Sequence, residues 1–92
     1  MTATIEIPSA LQKFVNNQSS VEVSGNNVRE AINDLITQFG GVKEHLFDEH
    51  GRIRSFVNVY LNDEDIRYTN NLDSEVKSGD VIQIVPSIAG GR

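Results

Sequence analysis

From Val28 onward the apolar residues fall at Val28, Ala31, Ile32, Leu35, Ile36 and Phe39. Those are the i, i+3, i+4, i+7, i+8 and i+11 positions of a single helical face. Asn27 stands where a helix N-cap belongs, Glu30 three residues later completes a capping box, and Gly40-Gly41 supplies a C-terminal stop. The spacing predicts a helix over residues 28–39. Such a stripe needs cover, because burying each large apolar side chain contributes about 1.5–3 kcal/mol. The rest of the chain has to build a surface on which one helix can lie.

That surface reads as a sheet. Thr4-Ile5-Glu6-Ile7 alternates polar and apolar residues, with Ala3, Ile5 and Ile7 on one face, and Pro8 ends it. Residues 9–19 read as a loop pinned by Leu11, Phe14 and Val15. Ser20-Val21-Glu22-Val23-Ser24 alternates again. Beyond the helix, Val42 to Phe47 reads as a short second helical piece and Asp48-Glu49-His50-Gly51 as a turn. Phe56 to Leu61 is a third strand, Asn62-Asp63-Glu64-Asp65 a polar turn, Ile66-Arg67-Tyr68 a brief return strand, and Val81 to Val85 the last strand. This order predicts an α+β fold: a small mixed sheet covered on one face by one main helix, with the first and last strands side by side in the middle. If Ile82 and Ile84 face the helix, Val85 faces away, as do Phe56 and Tyr60 on the third strand. Phe56, Tyr60 and Val85 then form an apolar patch on the open face, a candidate docking surface.

Composition narrows the function classes. A chain of 92 residues makes one domain, and with 38% hydrophobic and 23% charged residues it is an ordinary globular one. It has no cysteine, hence no disulfide, thiolate metal site or cysteine nucleophile. No basic-then-apolar leader and no apolar run of membrane length stands out, so a cytoplasmic location is expected. The net charge is −5, and the eight Lys and Arg are scattered along the chain, which argues against nucleic acid as a partner. The acidic surplus suits solubility or a basic partner surface. His45, Asp48, Glu49 and His50 lie close together, but their spacing matches no zinc-binding helix and reads as a solvated loop. Asp63-Glu64-Asp65 reads as turn chemistry. No nucleophile–base pair, nucleophile elbow or phosphate-cradling loop stands out, so an enzyme is not expected.

The stretch that carries chemistry is the last one, Val85-Pro86-Ser87-Ile88-Ala89-Gly90-Gly91-Arg92. Pro86 cannot donate a ladder hydrogen bond, so a domain spanning 1–86 is expected to finish there, with 87–92 as a tail. Gly90 and Gly91 carry no Cβ and can thread a narrow channel. Read together, Phe56-Val57-Asn58-Val59-Tyr60-Leu61-Asn62-Asp63-Glu64-Asp65-Ile66-Arg67 and Gly79-Asp80-Val81-Ile82-Gln83-Ile84-Val85-Pro86-Ser87-Ile88-Ala89-Gly90-Gly91 resemble the ThiS/MoaD family of ubiquitin-like sulfur-carrier proteins, and most of all its CysO-type branch in cysteine biosynthesis.

The resemblance implies a β-grasp fold and a function centred on Gly91. An E1-like adenylating enzyme, using ATP and magnesium that the carrier itself does not bind, converts the glycine carboxylate to an acyl-adenylate. Sulfide or a persulfide then displaces AMP and leaves a thiocarboxylate for an acceptor enzyme. A cysteine synthase-like acceptor is favoured, with molybdopterin or thiamine biosynthesis as alternatives. Ile88, Ala89 and Gly90 would be the recognised tail, and the carrier a monomer. One residue departs from the pattern: many members end at Gly-Gly, whereas here Arg92 follows and holds Gly91 in a peptide bond. Removal of Arg92 by a JAMM-type metalloprotease is therefore expected before activation. A ubiquitin-like modifier forming isopeptide bonds and a noncovalent binding module remain open as other readings.

Overall fold

The computed structural model describes residues 2–55 and 57–86. The expected tail 87–92 and Phe56 lie outside the described residues. The described residues form five strands: β1 (Thr2–Glu6), β2 (Ser20–Ser24), β3 (Val57–Leu61), β4 (Glu64–Asp65) and β5 (Val81–Pro86). They lie in the order β2-β1-β5-β3-β4. β1 and β5, from the two ends of the chain, run parallel in the middle, and the other neighbours are antiparallel. One main helix, α1 (Val28–Gln38), and one short helix, α2 (Lys43–Leu46), complete the regular elements with four 3₁₀ turns. This is the expected β-grasp arrangement.

The core follows the two periodicities read from the sequence. Ala3 and Ile5 of β1, Val21 and Val23 of β2, Val57 and Val59 of β3, and Ile82 and Ile84 of β5 are all buried. They meet Val28, Ala31, Ile32 and Leu35 from α1, with Ile36 and Phe39 packed partly against the same cluster. The face parity assigned to β5 therefore holds.

The helix ends differ in detail from expectation. The Asn27 side chain caps α1 by accepting from the Glu30 amide at 2.8 Å. The Glu30 carboxylate, however, accepts from the amide of Asn26 (2.8 Å), one residue earlier than in a capping box. Asn27 itself bridges Glu75, through bonds from the Val28 amide to the Ser74 carbonyl and from the Val76 amide to the Asn26 carbonyl. Nor do Gly40 and Gly41 stop the helix. It ends where Phe39 turns to φ −139°, and the two glycines open the 3₁₀ turn Gly40–Val42 instead.

Two segments are more ordered than expected. Residues Ser9–Val15 form a 3₁₀ helix, not a loop; it buries Leu11 and Val15 and closes at Asn16 in the left-handed region. The return strand is Glu64–Asp65, and Ile66–Tyr68 is a 3₁₀ turn. The cause is a two-residue hairpin: Asn62 (φ 51°) and Asp63 (φ 72°) both take positive φ, as a type I′ turn requires. Asn and Asp tolerate that conformation, so the strand returns at once and its pairing starts at Leu61–Glu64.

Gly25 has a purpose the sequence did not disclose. A Cβ there would lie 2.7 Å from the Ala31 nitrogen and 2.9 Å from the Glu30 carbonyl carbon. The chain leaving β2 passes directly over the first turn of α1, and only glycine fits. Gly25→Ala is expected to destabilise the fold by about 1–3 kcal/mol, as overpacking does, in urea unfolding. Gly40→Ala, with nothing within 4 Å of the added methyl, is the matched control and should change the midpoint little. Equal effects at the two sites would refute the close-approach explanation.

Candidate functional site: the end of β5 and the open sheet face

Proline decides how the last strand leaves the sheet. β1 pairs with β5 only as far as Glu6, opposite Gln83. Past that point the chain reaches Pro8, which has no N–H to give, and turns into the 3₁₀ helix Ser9–Val15. β5 continues for three more residues, Ile84 to Pro86, held by β3 alone through Val59, Asn58 and Val57. The root of the C-terminal segment thus projects beyond its central neighbour. A shallow depression of about 260 Å³ lies on the side that β1 vacates, lined by Glu6, Pro8, Gln83, Val85 and Pro86 among others.

The open face is mainly polar on β1 and β2, where Thr2, Glu6, Ser20, Glu22 and Ser24 are exposed. On β5, Val85 is 40% exposed. Tyr60 is half-buried and sits opposite Gln83, while Asn58 sits opposite Val85. Tyr60 and Val85 are therefore diagonal neighbours on one face, within reach of an aromatic ring. Gln83 and Asn58 interleave with them, so the apolar surface is narrower than the sequence suggested. Of the expected site residues, the structure brings Tyr60 and Val85 together; Phe56, Ile88, Ala89, Gly90, Gly91 and Arg92 lie outside the described residues.

Polar contacts fix this part of the sheet. The Asn62 amide donates to the Val81 carbonyl at 2.8 Å, and its side-chain oxygen accepts from the Val81 amide at 2.9 Å. The Asn62 Nδ2 donates to Asp80 at 3.0 Å, and the Lys77 amide donates to the same carboxylate at 2.7 Å. These bonds, led by that from Asn62, hold the Asp80 carboxyl below the ordinary carboxylate value. At the far edge Asp65 is only 8% exposed and accepts from Arg67 through both oxygens, with the shortest contact at 2.7 Å. The Arg67 side chain, then its backbone N–H, lowers the Asp65 pKa. Asp48 is lowered chiefly by the Arg52 amide in the turn that follows α2. A sequence reading that treats Asp63-Glu64-Asp65 as one solvated run misses that its third member is buried and paired. The signal was the Arg two residues beyond Asp65.

The histidines do other work. His45 stacks on Phe14 with ring centroids 4.3 Å apart, and His50 lies beside the exposed Glu49. Among the described residues, no three His, Asp or Glu side chains converge as metal ligands would. No described helix is long and apolar enough to cross a membrane.

Comparison with known proteins adds the family. The model of the ThiS family matches residues 5–91. The sulfur carrier protein CysO of Mycobacterium tuberculosis is 38% identical over 93 residues, covering 99% of this chain and all of the relative. The crystal structure of the BexX/CysO complex of Amycolatopsis orientalis contains a chain 40% identical, with a TM-score of 0.88 over 97% of this chain and 99% of that one. The small archaeal modifier protein 1 of Methanosarcina acetivorans shares the fold at a TM-score of 0.88, with 20% identity and 98% and 96% coverage.

The three lowered carboxyls set a pH dependence. Each has a folded pKa below its unfolded value of 3.8. The unfolded chain therefore takes up protons first on acidification. Their stabilisation is complete above about pH 5 and is lost as pH falls through the folded values. Urea midpoints should be level from pH 7 to 5 and drop below 4. Asp65→Asn should lower the midpoint at pH 7 and flatten the acid drop; a variant as acid-sensitive as the parent would remove Asp65 from the account.

Proposed function

The chain belongs to the ThiS family as a sulfur carrier, not an enzyme, and on that premise we propose that it carries sulfur as a thiocarboxylate on Gly91. The observation that carries this reading is where the family match stops: it runs through Gly91 and leaves Arg92 outside. A peptidase of the JAMM metalloprotease type first hydrolyses the Gly91–Arg92 bond. The freed carboxylate is ionised at neutral pH and a poor electrophile, so it needs a leaving group. An E1-like enzyme supplies one: a carboxylate oxygen attacks the α-phosphorus of magnesium-bound ATP, and pyrophosphate departs. Sulfide then adds to the acyl carbon, the carbon–sulfur bond forms, the bond to the AMP oxygen breaks, and AMP leaves with that electron pair. The carrier's own contribution is reach and shape. Five residues from Ser87 to Gly91 span up to about 16 Å when extended at roughly 3.3 Å each. That length enters an active site while the sheet docks outside.

Tyr60, Val85 and Phe56 are the docking residues in this reading, and Val85 stands one residue before the end of β5. A CysO relative crystallised as a complex with BexX supports association with a partner protein. The acceptor of choice is a cysteine synthase-like enzyme, and the setting the cytoplasm, with the carrier a monomer between encounters. Absence of cysteine fits the chemistry, since no thiol in cis competes for the activated acyl group.

The intact mass tests the first part. Incubated with host lysate, ATP and sulfide, the chain should lose one arginine and then gain the oxygen-to-sulfur increment. A variant ending at Gly91 should need only the adenylating enzyme. An unchanged mass in a lysate that converts other carriers would sink the proposal, and isopeptide ladders without thiocarboxylate would favour a protein modifier. For docking, Val85→Asp should slow adenylation of the Gly91-terminated chain about tenfold or more, a loss near 1.4 kcal/mol, with little change in the urea midpoint. An unaltered rate would move the docking surface elsewhere.

A further inference from the structure

In the sequence the cations look scattered, but the fold gathers some of them. Arg29, Arg52, Arg54 and Arg67 all line one groove of about 550 Å³, whereas Lys13, Lys43 and Lys77 do not. These are all the arginines among the described residues. They arrive from three places: Arg29 from α1, Arg67 from the 3₁₀ turn after β4, and Arg52 and Arg54 from the segment that follows α2. That segment is held in place by the Phe47–Ile53 bridge and by the Arg54 amide donating to the Leu46 carbonyl at 2.9 Å. Among the described residues, Asp65 is the only carboxylate in the lining. Asp73 and Asp48 contact Arg29 and Arg52 from outside the groove, each through one guanidinium nitrogen, at 3.2 and 3.7 Å. Arg54 has no carboxylate partner among the described residues; its Nε donates to the Glu44 carbonyl. In a chain of net charge −5, this is a local excess of guanidinium with donors to spare.

The floor of the groove is a strand edge. β4 pairs with β3 only at Tyr60 and Leu61, so no described strand covers the outer side of Val57 to Val59. The Asn62 amide points to β5, and main-chain direction alternates along an antiparallel strand. The main-chain groups of Val57 and Val59 therefore point outward; the Val57 amide is taken by the Arg54 carbonyl at 3.0 Å, which leaves the Val57 carbonyl and the amide and carbonyl of Val59 to the groove. Ile53, Ile66 and Leu72 supply an apolar wall beside them.

We propose that this groove binds an extended acidic segment of a partner protein, added to the outer edge of β3 with its carboxylates on the arginines and an aliphatic side chain against Ile53 and Leu72. Strand addition supplies main-chain hydrogen bonds, and alternate side chains supply specificity. The forked guanidinium suits carboxylates better than an ammonium does. A small anion is a poorer occupant. The Arg29, Arg52 and Arg67 side chains are 50%, 74% and 63% exposed, and ion pairs at such exposure contribute little each. The edge and the apolar wall have to take part. A nucleic acid strand would extend past the groove over a surface whose acids outnumber bases thirteen to eight.

The inference does not depend on the thiocarboxylate reading, and its test uses the whole chain. The probe is a capped heptapeptide alternating aspartate and valine, titrated into isotopically labelled protein at low salt. Amide shifts should centre on Ser55, Val57, Asn58, Val59 and Arg67 and weaken at high salt. The charge reversals Arg52→Glu with Arg54→Glu should weaken binding about tenfold or more. Arg29→Ala with Arg52→Ala, both at exposed side chains, should weaken it in the same direction if the first variant folds poorly. The proposal is overturned if the shifts map to Gln83 and Val85 or to the lysines, if folded variants bind as well as the parent, or if citrate at equal carboxylate concentration moves the same amides as far as the peptide does.

Discussion

The parallel pairing of β1 with β5 holds the molecule together. It joins Thr4, Ile5 and Glu6 to Val81, Ile82 and Gln83, and the other strands add outward from that pair. β2 adds to the free side of β1 and β3 to the free side of β5, while α1 covers the buried face of all of them. A contact between the two chain ends closes a loop of almost the whole sequence, so its entropic cost is met late in folding. What offsets that cost is the set of apolar side chains that become buried at once when the two strands meet. Ile5 and Ile82, which lie opposite each other in the register, are both fully buried.

Much of this was legible because two periodicities were clean. The stripe from Val28 to Phe39 had no reading except a helix, and the alternations around Ile5, Val21, Val59 and Ile82 had no reading except half-buried strands. The central position of the terminal strands followed from the need to fit a sheet under one helix. Left-handed residues were less legible. Asn62-Asp63 looked like part of a four-residue loop, because side-chain identity alone does not say that both take positive φ. The glycine roles were exchanged for the same reason. Gly40-Gly41 looked like a helix stop and only begins a turn, whereas a Cβ at Gly25 would meet the closest neighbour of any described glycine.

The candidate site divides along a similar line. The chemistry of the last residues was legible because it resides in their order, Gly90-Gly91 after Pro86, and owes little to packing. The groove was not, because it depends on distance in space. Arg29 and Arg67 are far apart in sequence and meet only through α1 and the turn after β4. The burial of Asp65 has the same origin, since its neighbour on one side, Glu64, is exposed.

β5 outlasts β1 by three residues and ends at a proline, which has a mechanical consequence. A pull applied at Pro86 and directed along β5 runs parallel to both of its ladders. The load falls first on the ladder to β3, which alone holds Ile84 to Pro86, and reaches the ladder to β1 at Gln83, so each ladder is loaded in shear. The fold is thus pulled in the direction in which its sheet is hardest to break.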